Sequence, residues 1–113
     1  MQRTLSAAEN NVQVAPPRVV NVPAATPTEL FPSDVGTRTG EIVTRYVQNI
    51  TGDDLYLSFG ISKANGDPQC DDALMFHCVI ADRQLFDCFP ERTRVCCYSA
   101  GGGLVSTVIK VRL

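Results

Sequence analysis

"RYVQNITGDDLYLSFG", residues 45–60, decides the fold class. Two runs of β-formers flank Thr51-Gly52-Asp53-Asp54, where a glycine and two aspartates supply turn chemistry. After the turn, Leu55, Leu57 and Phe59 alternate with Tyr56 and Ser58, the period of two that marks a half-buried strand. Before it, in "EIVTRYVQNI" (41–50), Val43, Arg45, Val47 and Asn49 share one side, and Ile42, Thr44, Tyr46, Gln48 and Ile50 the other. Both sides are mixed, which suits a strand that meets protein on both faces. The stretch reads as a plain hairpin with no catalytic group near it, so its expected role is scaffold.

Outward from this stretch the same pattern continues. "TRVCCYSA" (93–100), Gly101-Gly102-Gly103 and "LVSTVIKVRL" (104–113) read as a closing hairpin about a glycine turn. In its last strand Val105, Thr107, Ile109, Val111 and Leu113 form one face, with Ser106, Lys110 and Arg112 on the other. Residues 61–73, with Asn65-Gly66, Asp67-Pro68 and Asp71-Asp72, form a long polar loop. "LMFHCVI" (74–80) and "QLFDCF" (84–89) are read as short strands, because Pro90 and the β-branched pair Val79-Ile80 disfavour a helix. The predicted core is Val47, Leu55, Leu57, Phe59, Val95, Cys97, Val105, Ile109 and Val111. About six short strands separated by turn signals predict an all-β fold, a small antiparallel β-sandwich or barrel.

The first part of the chain differs. Five of the seven prolines, Pro16, Pro17, Pro23, Pro27 and Pro32, fall in "PPRVVNVPAATPTELFP", which rules a helix out and leaves an extended Pro-rich N-terminal arm. The predicted organisation is an arm over 1–28 and a β-sandwich domain over 29–113. Val12, Val14, Val19, Val20 and Val22 make the arm apolar, unlike a solvated linker. These five valines are the candidate partner-binding residues. They need a surface to lie on, either a neighbour's groove or sheet edge or this chain's own sandwich as an extra edge strand.

Composition bounds the function. A chain of 113 residues, 44% hydrophobic, holds one core, and no apolar run reaches the ~18 residues of a membrane-spanning helix. The start, "MQRTLSAAENN", lacks the apolar segment of a secretory signal, so a reducing compartment is expected. The net charge of −2 divides into two arginines against one glutamate over 1–28 and eight basic against eleven acidic groups over 29–113. Neither part is the clustered basic face of a nucleic-acid binder, so no nucleic acid and no membrane are expected as partners.

Candidate chemistry is thin. Cys70, Cys78, Cys88, Cys96 and Cys97 are odd in number and lack the C-x2–4-C knuckles of a zinc site, so free structural thiols and no metal are expected. A cysteine nucleophile with His77 as base lacks an evident third orienting group. Asp53-Asp54 and Asp71-Asp72 sit in turn sequence rather than in a Ca²⁺ loop. Asn49-Ile50-Thr51 matches a glycosylation acceptor at a strand end, which carries meaning only with a secretory route. No catalytic, cofactor-binding or metal-binding residue and no cofactor is assigned; the rival of another class is a thiol-dependent or metal-binding small β module.

"ATPTELFPSDVGTRTGEIVTRYVQNITGDDLYLSFG" and "RVCCYSAGGGLVSTVIKVRL" together resemble the small β-sandwich structural proteins of tailed bacteriophages. Leu30, Pro32, Arg38, Gln48, Asn49, Tyr56, Phe59, Gly60, Tyr98, Gly101 and Gly102 fill the recurring places, over roughly residues 24–113. The cysteine-rich stretch 61–92 departs from that pattern. The resemblance implies a non-enzymatic virion component. In first place it implies a capsid decoration (cement) protein that binds and stabilises the head, alternatively a tail, head-fibre or receptor-binding accessory protein. The implied partners are the major capsid protein or another virion protein and further copies of the chain, a trimer being favoured. The implied location is the virion, assembled in the host cytoplasm.

Overall fold

The computed structural model describes residues 12–14, 18–31, 42–73, 75–90 and 93–112. Among the described residues nine strands run in the order β1 (Val12–Val14), β2 (Arg18–Val22), β3 (Thr28–Phe31), β4 (Ile42–Ile50), β5 (Leu55–Phe59), β6 (Cys78–Ile80), β7 (Leu85–Phe86), β8 (Val95–Tyr98) and β9 (Gly103–Arg112). All pairings are antiparallel. Sheet I has β4 between β9 and β7, with β1 and β2 in succession along the far side of β9; sheet II has the order β3-β8-β5-β6. With β1 set aside, the two sheets β2-β9-β4-β7 and β3-β8-β5-β6 have the eight-strand arrangement of a jelly roll. The all-β sandwich predicted from the sequence is the fold found.

Both predicted hairpins are corrected. β4 pairs with β9 and β7, whereas β5 pairs with β8 and β6, so Thr51–Asp54 carries the chain from one sheet to the other. The glycine run at 101–103 does the same in reverse, from β8 to β9. A hairpin and a sheet-to-sheet corner need the same turn residues. What separates them is whether the second strand lies across a hydrogen bond or across the core, about 10 Å away.

Asn49 makes the first corner. It is completely buried, its Nδ2 donating to the carbonyls of Asp53 (2.6 Å) and Ile80 (3.0 Å) while its Oδ1 accepts from Thr51 N (3.0 Å) and Thr51 Oγ1 (2.7 Å). All of its hydrogen-bonding capacity is thus spent on tying β4 to the chain leaving it and to the end of β6. The glycosylation match at Asn49-Ile50-Thr51 thus falls on a buried, fully bonded side chain. At the second corner an added Cβ on Gly103 (φ +144°) would lie 2.8 Å from Thr51 Cα, and one on Gly102 (φ +70°) 2.7 Å from Ala24 N. The β2–β3, β4–β5 and β8–β9 crossings therefore stack on one another at one end of the sandwich, and only glycine lets the backbones approach so closely.

The core lies between the sheets. Val47, Leu55, Leu57, Val95, Cys97 and Val105 are fully buried as predicted, and Phe59 and Ile109 pack against them half-buried. The side chain of Val111 is outside the described residues. The alternation missed Val22, Leu30, Phe31 and Ile80. Leu30 and Phe31 are adjacent yet both buried because the β3–β8 register shifts between Glu29 and Phe31, a bulge that turns consecutive side chains inward. The 61–73 loop folds back on the outer face of sheet II: Ser58 Oγ donates to the Gln69 carbonyl (2.8 Å). Arg94 Nη1 donates to Ser62 Oγ and to the Gly66 carbonyl (2.7 Å each).

Candidate functional site

The arm joins its own sheet. β2 pairs with β9 from Arg18 opposite Thr107 to Val22 opposite Gly103, and β1 pairs Val12 with Arg112 and Val14 with Lys110. The five candidate valines therefore have different fates. Val22 is in the core, Val20 packs against it, and Val19 points away from the core with 59% of its surface exposed. Val12 and Val14 are placed by register only. Each chain thus uses part of its arm to complete its own sandwich, and β1–β2 is the outermost ribbon of sheet I. Among the described residues this ribbon is therefore an edge of its sheet, the kind of position through which sandwiches accept another strand.

The remaining candidate groups are structural in their surroundings. Burial pushes the Cys70 thiol up to about 12 and that of Cys96 up to about 11, and raises Cys97 and Cys78 as well. Exposed Cys88 is raised by its hydrogen bond to the Asp87 carboxylate (3.5 Å). A nucleophile or metal ligand requires the opposite shift. Cys96 and Cys97 are neighbours on β8, so one faces the loop that covers sheet II and the other the core, and both are fully buried. His77 stacks on Phe59 (centroids 5.1 Å apart, 10° between planes), and its Nδ1 accepts the Phe59 N–H (3.0 Å). Among the described residues no group of three or more His, Cys, Asp or Glu has metal-binding geometry.

Arg45 was not singled out by the sequence. Its guanidinium is buried 5.4 Å from the Phe31 ring and 5.5 Å from the Phe89 ring, and it donates to the carbonyls of Thr93 (2.6 Å) and Pro90. Burial lowers its pKa. It ties Pro90 and Thr93 to the inner face of sheet I, and its signal was its place two residues before Val47, on the face of β4 that turned out to be the core face. Also missed were the apolar residues on the outer face of sheet I. Leu104 is 45% and Leu85 59% exposed there, and Val19 of β2 lies at the margin opposite Leu85. The signal for Leu104 was in the alternation itself, since it falls out of phase with Val105 and Thr107.

Comparison with protein-family models finds no match, and comparison with curated proteins finds none. Among solved structures the chain is similar to a subunit of Bacillus endospore appendages, described as a novel family of disulfide-linked pili. The TM-score is 0.55, the identity 14%, and the match covers 96% of each chain. At that identity the likeness speaks for the fold. It shows a shared β fold over nearly the full length of both chains.

Proposed function

We propose that this chain is a non-enzymatic structural subunit that works by assembling, with copies of itself and with a larger particle or fibre. The observation that carries this reading is the likeness of fold to an appendage protein over 96% of each chain. It is supported by the thiols, all pushed toward the neutral form, and by the edge position of β1–β2. Two finer readings follow. The phage-like residues between 24 and 113 favour a decoration protein on a virion head, bound to the major capsid protein. The fold correspondence favours a fibre subunit.

Any disulfide link between copies would rest on Cys88. Residues 1–69 contain no cysteine, Cys70, Cys96 and Cys97 are buried, and Cys78 packs half-buried against the core. A single exposed thiol joins at most two copies, so the assembly contacts in this reading are non-covalent.

The test is immunogold labelling with an antibody against the folded chain, on purified phage particles and on isolated surface fibres. Label spread over particle heads selects decoration, and label along fibres selects the appendage reading. Protein found only as free monomer in the cytosol would sink both.

A further inference from the structure

The outer face of sheet II lies under the chain's own 61–73 loop, and two thiols meet there. The backbone groups of a strand point by turns to its two neighbours. On β5 the Leu57 carbonyl accepts from His77 N–H (2.7 Å) and the Phe59 N–H donates to His77 Nδ1 (3.0 Å), both on the β6 side, so the Tyr56 carbonyl points toward β8. Cys70 Sγ donates to that carbonyl at 3.4 Å, which sets the thiol over the gap between β5 and β8. The loop is pinned at this point, because Ser58 Oγ donates to the carbonyl of Gln69, the residue before Cys70 (2.8 Å). Register puts Ser58 opposite Cys96 and Tyr56 opposite Tyr98, and these four outward residues frame the gap that Cys70 Sγ occupies. Residues sharing a face stand ~5 Å apart across neighbouring strands and ~7 Å apart along one strand, so the centre of such a frame is about 4 Å from each corner. Cys70 and Cys96 are both fully buried there.

The other cysteines are excluded as partners by position. Cys78 and Cys97 share a row with Leu57 between them, two strand spacings or about 9.6 Å apart, beyond the ~6.8 Å that a disulfide spans between Cα atoms. Cys97 follows Cys96 directly and faces the opposite side of the sheet, and Cys88 is exposed.

We propose that Cys70 and Cys96 form a disulfide site, a dithiol in this structure, which closes on reaction with a low-molecular-weight disulfide such as oxidised glutathione and bolts the 61–73 loop to sheet II. The chemistry is a double exchange. The Cys70 thiolate attacks one sulfur of oxidised glutathione, a mixed disulfide forms, and one glutathione thiolate leaves and takes up the proton that Cys70 gave up. The Cys96 thiolate then attacks Cys70 Sγ, the Cys70–Cys96 bond replaces the mixed one, and the second glutathione leaves and is protonated in the same way. Two protein thiols lose two electrons and two protons, and one disulfide of the medium gains them. Neutral, buried thiols react slowly, so the bond forms during folding or when the loop lifts. Once made, it restricts the unfolded chain and holds the loop down. The bond lies within one copy and is independent of whether the chain assembles.

The test is refolding of the reduced, urea-unfolded full chain in a buffer of reduced and oxidised glutathione, followed by alkylation of the remaining thiols and peptide mass mapping. The variants Cys70→Ala, Cys96→Ala and Cys78→Ala are treated alongside. The expected result is a pair of peptides joined through Cys70 and Cys96, with Cys78 and Cys97 alkylated. The thermal midpoint should stand about 10 °C above that of the same protein in dithiothreitol. Cys78→Ala should keep both the bond and the shift, whereas Cys70→Ala and Cys96→Ala should lose both. Midpoints of the variants in dithiothreitol report what each substitution costs by itself. A wild-type chain whose Cys70 and Cys96 are both alkylated or both carry glutathione overturns the proposal. So does a bond between any other pair within a copy, or a shift that survives in Cys96→Ala.

Discussion

At the scale of single residues, buried polar groups decide how the chain is routed. Asn49 illustrates this, because four bonds from one amide fix the corner between β4 and β5. Asn49→Ala removes the donor to the Ile80 carbonyl and the acceptor for Thr51, and should destabilise the fold by about 2–3 kcal/mol in urea titration. The thiols give a pH dependence. Cys70 and Cys96 titrate near 12 and 11 in the folded protein because they are buried, against about 8.5 in an unfolded chain. Below that unfolded value both states hold the proton and stability is fully present. Above it the unfolded chain ionises first, so stability falls as pH rises toward 11, by up to about 1.4 kcal/mol per pH unit for each thiol. Urea midpoints at pH 7.5 and pH 10 measure the fall, and Cys96→Ala should reduce it by that thiol's share, leaving the part due to the other buried cysteines. A midpoint unchanged across that range would mean that these thiols are not buried in solution.

At the scale of elements, alternation was legible and connection was not. The β5 pattern Leu55-Leu57-Phe59 and the β9 pattern Val105-Thr107-Ile109 were readable because a strand with one core face must alternate. The strand β4 was harder, since its core face holds Arg45 and Asn49, polar residues whose partners lie on distant segments. The two sheet-to-sheet corners were misread as hairpins because local sequence records that a chain turns, not which surface it then meets. Their difference lies in contacts between corners. Gly103→Ala would press a Cβ against Thr51 at an unfavourable φ and should cost about 2–3 kcal/mol. Gly101→Ala, with open space around its added Cβ, should be near neutral. Equal midpoints for the two variants in thermal unfolding would remove the argument that the corners stack. For the candidate site, the arm's apolar character was legible in its valines. Its division between core and surface was not, because that depends on the register with β9, more than eighty residues later.

At the scale of the whole molecule, part of the arm belongs to the fold, and truncation tests the proposal that the arm also serves assembly. Val22 lies in the core, Val20 packs on it, and Gly102 closes against the backbone of Val22 and Ala24. Deleting residues 2–24 would strip β2 from β9 and uncover this end of the sandwich. Each valine lost from the interior forfeits about 1.5 kcal/mol or more of burial, and a ladder of five residue pairs goes with them. Against a total stability of about 5–15 kcal/mol, this should lower the thermal midpoint by more than about 10 °C or prevent folding. Loss of particle or fibre binding in that variant would therefore say nothing about assembly. Deleting only residues 2–11 is the cleaner operation, because it leaves β1 and β2 in place along β9. With the β1–β2 ribbon retained, the assembly reading predicts a midpoint within a few degrees of the full chain and incorporation into the larger structure at the full chain's level, read by co-sedimentation with particles or fibres. Loss of incorporation at an unchanged midpoint would move the contact away from the ribbon and onto the leading segment.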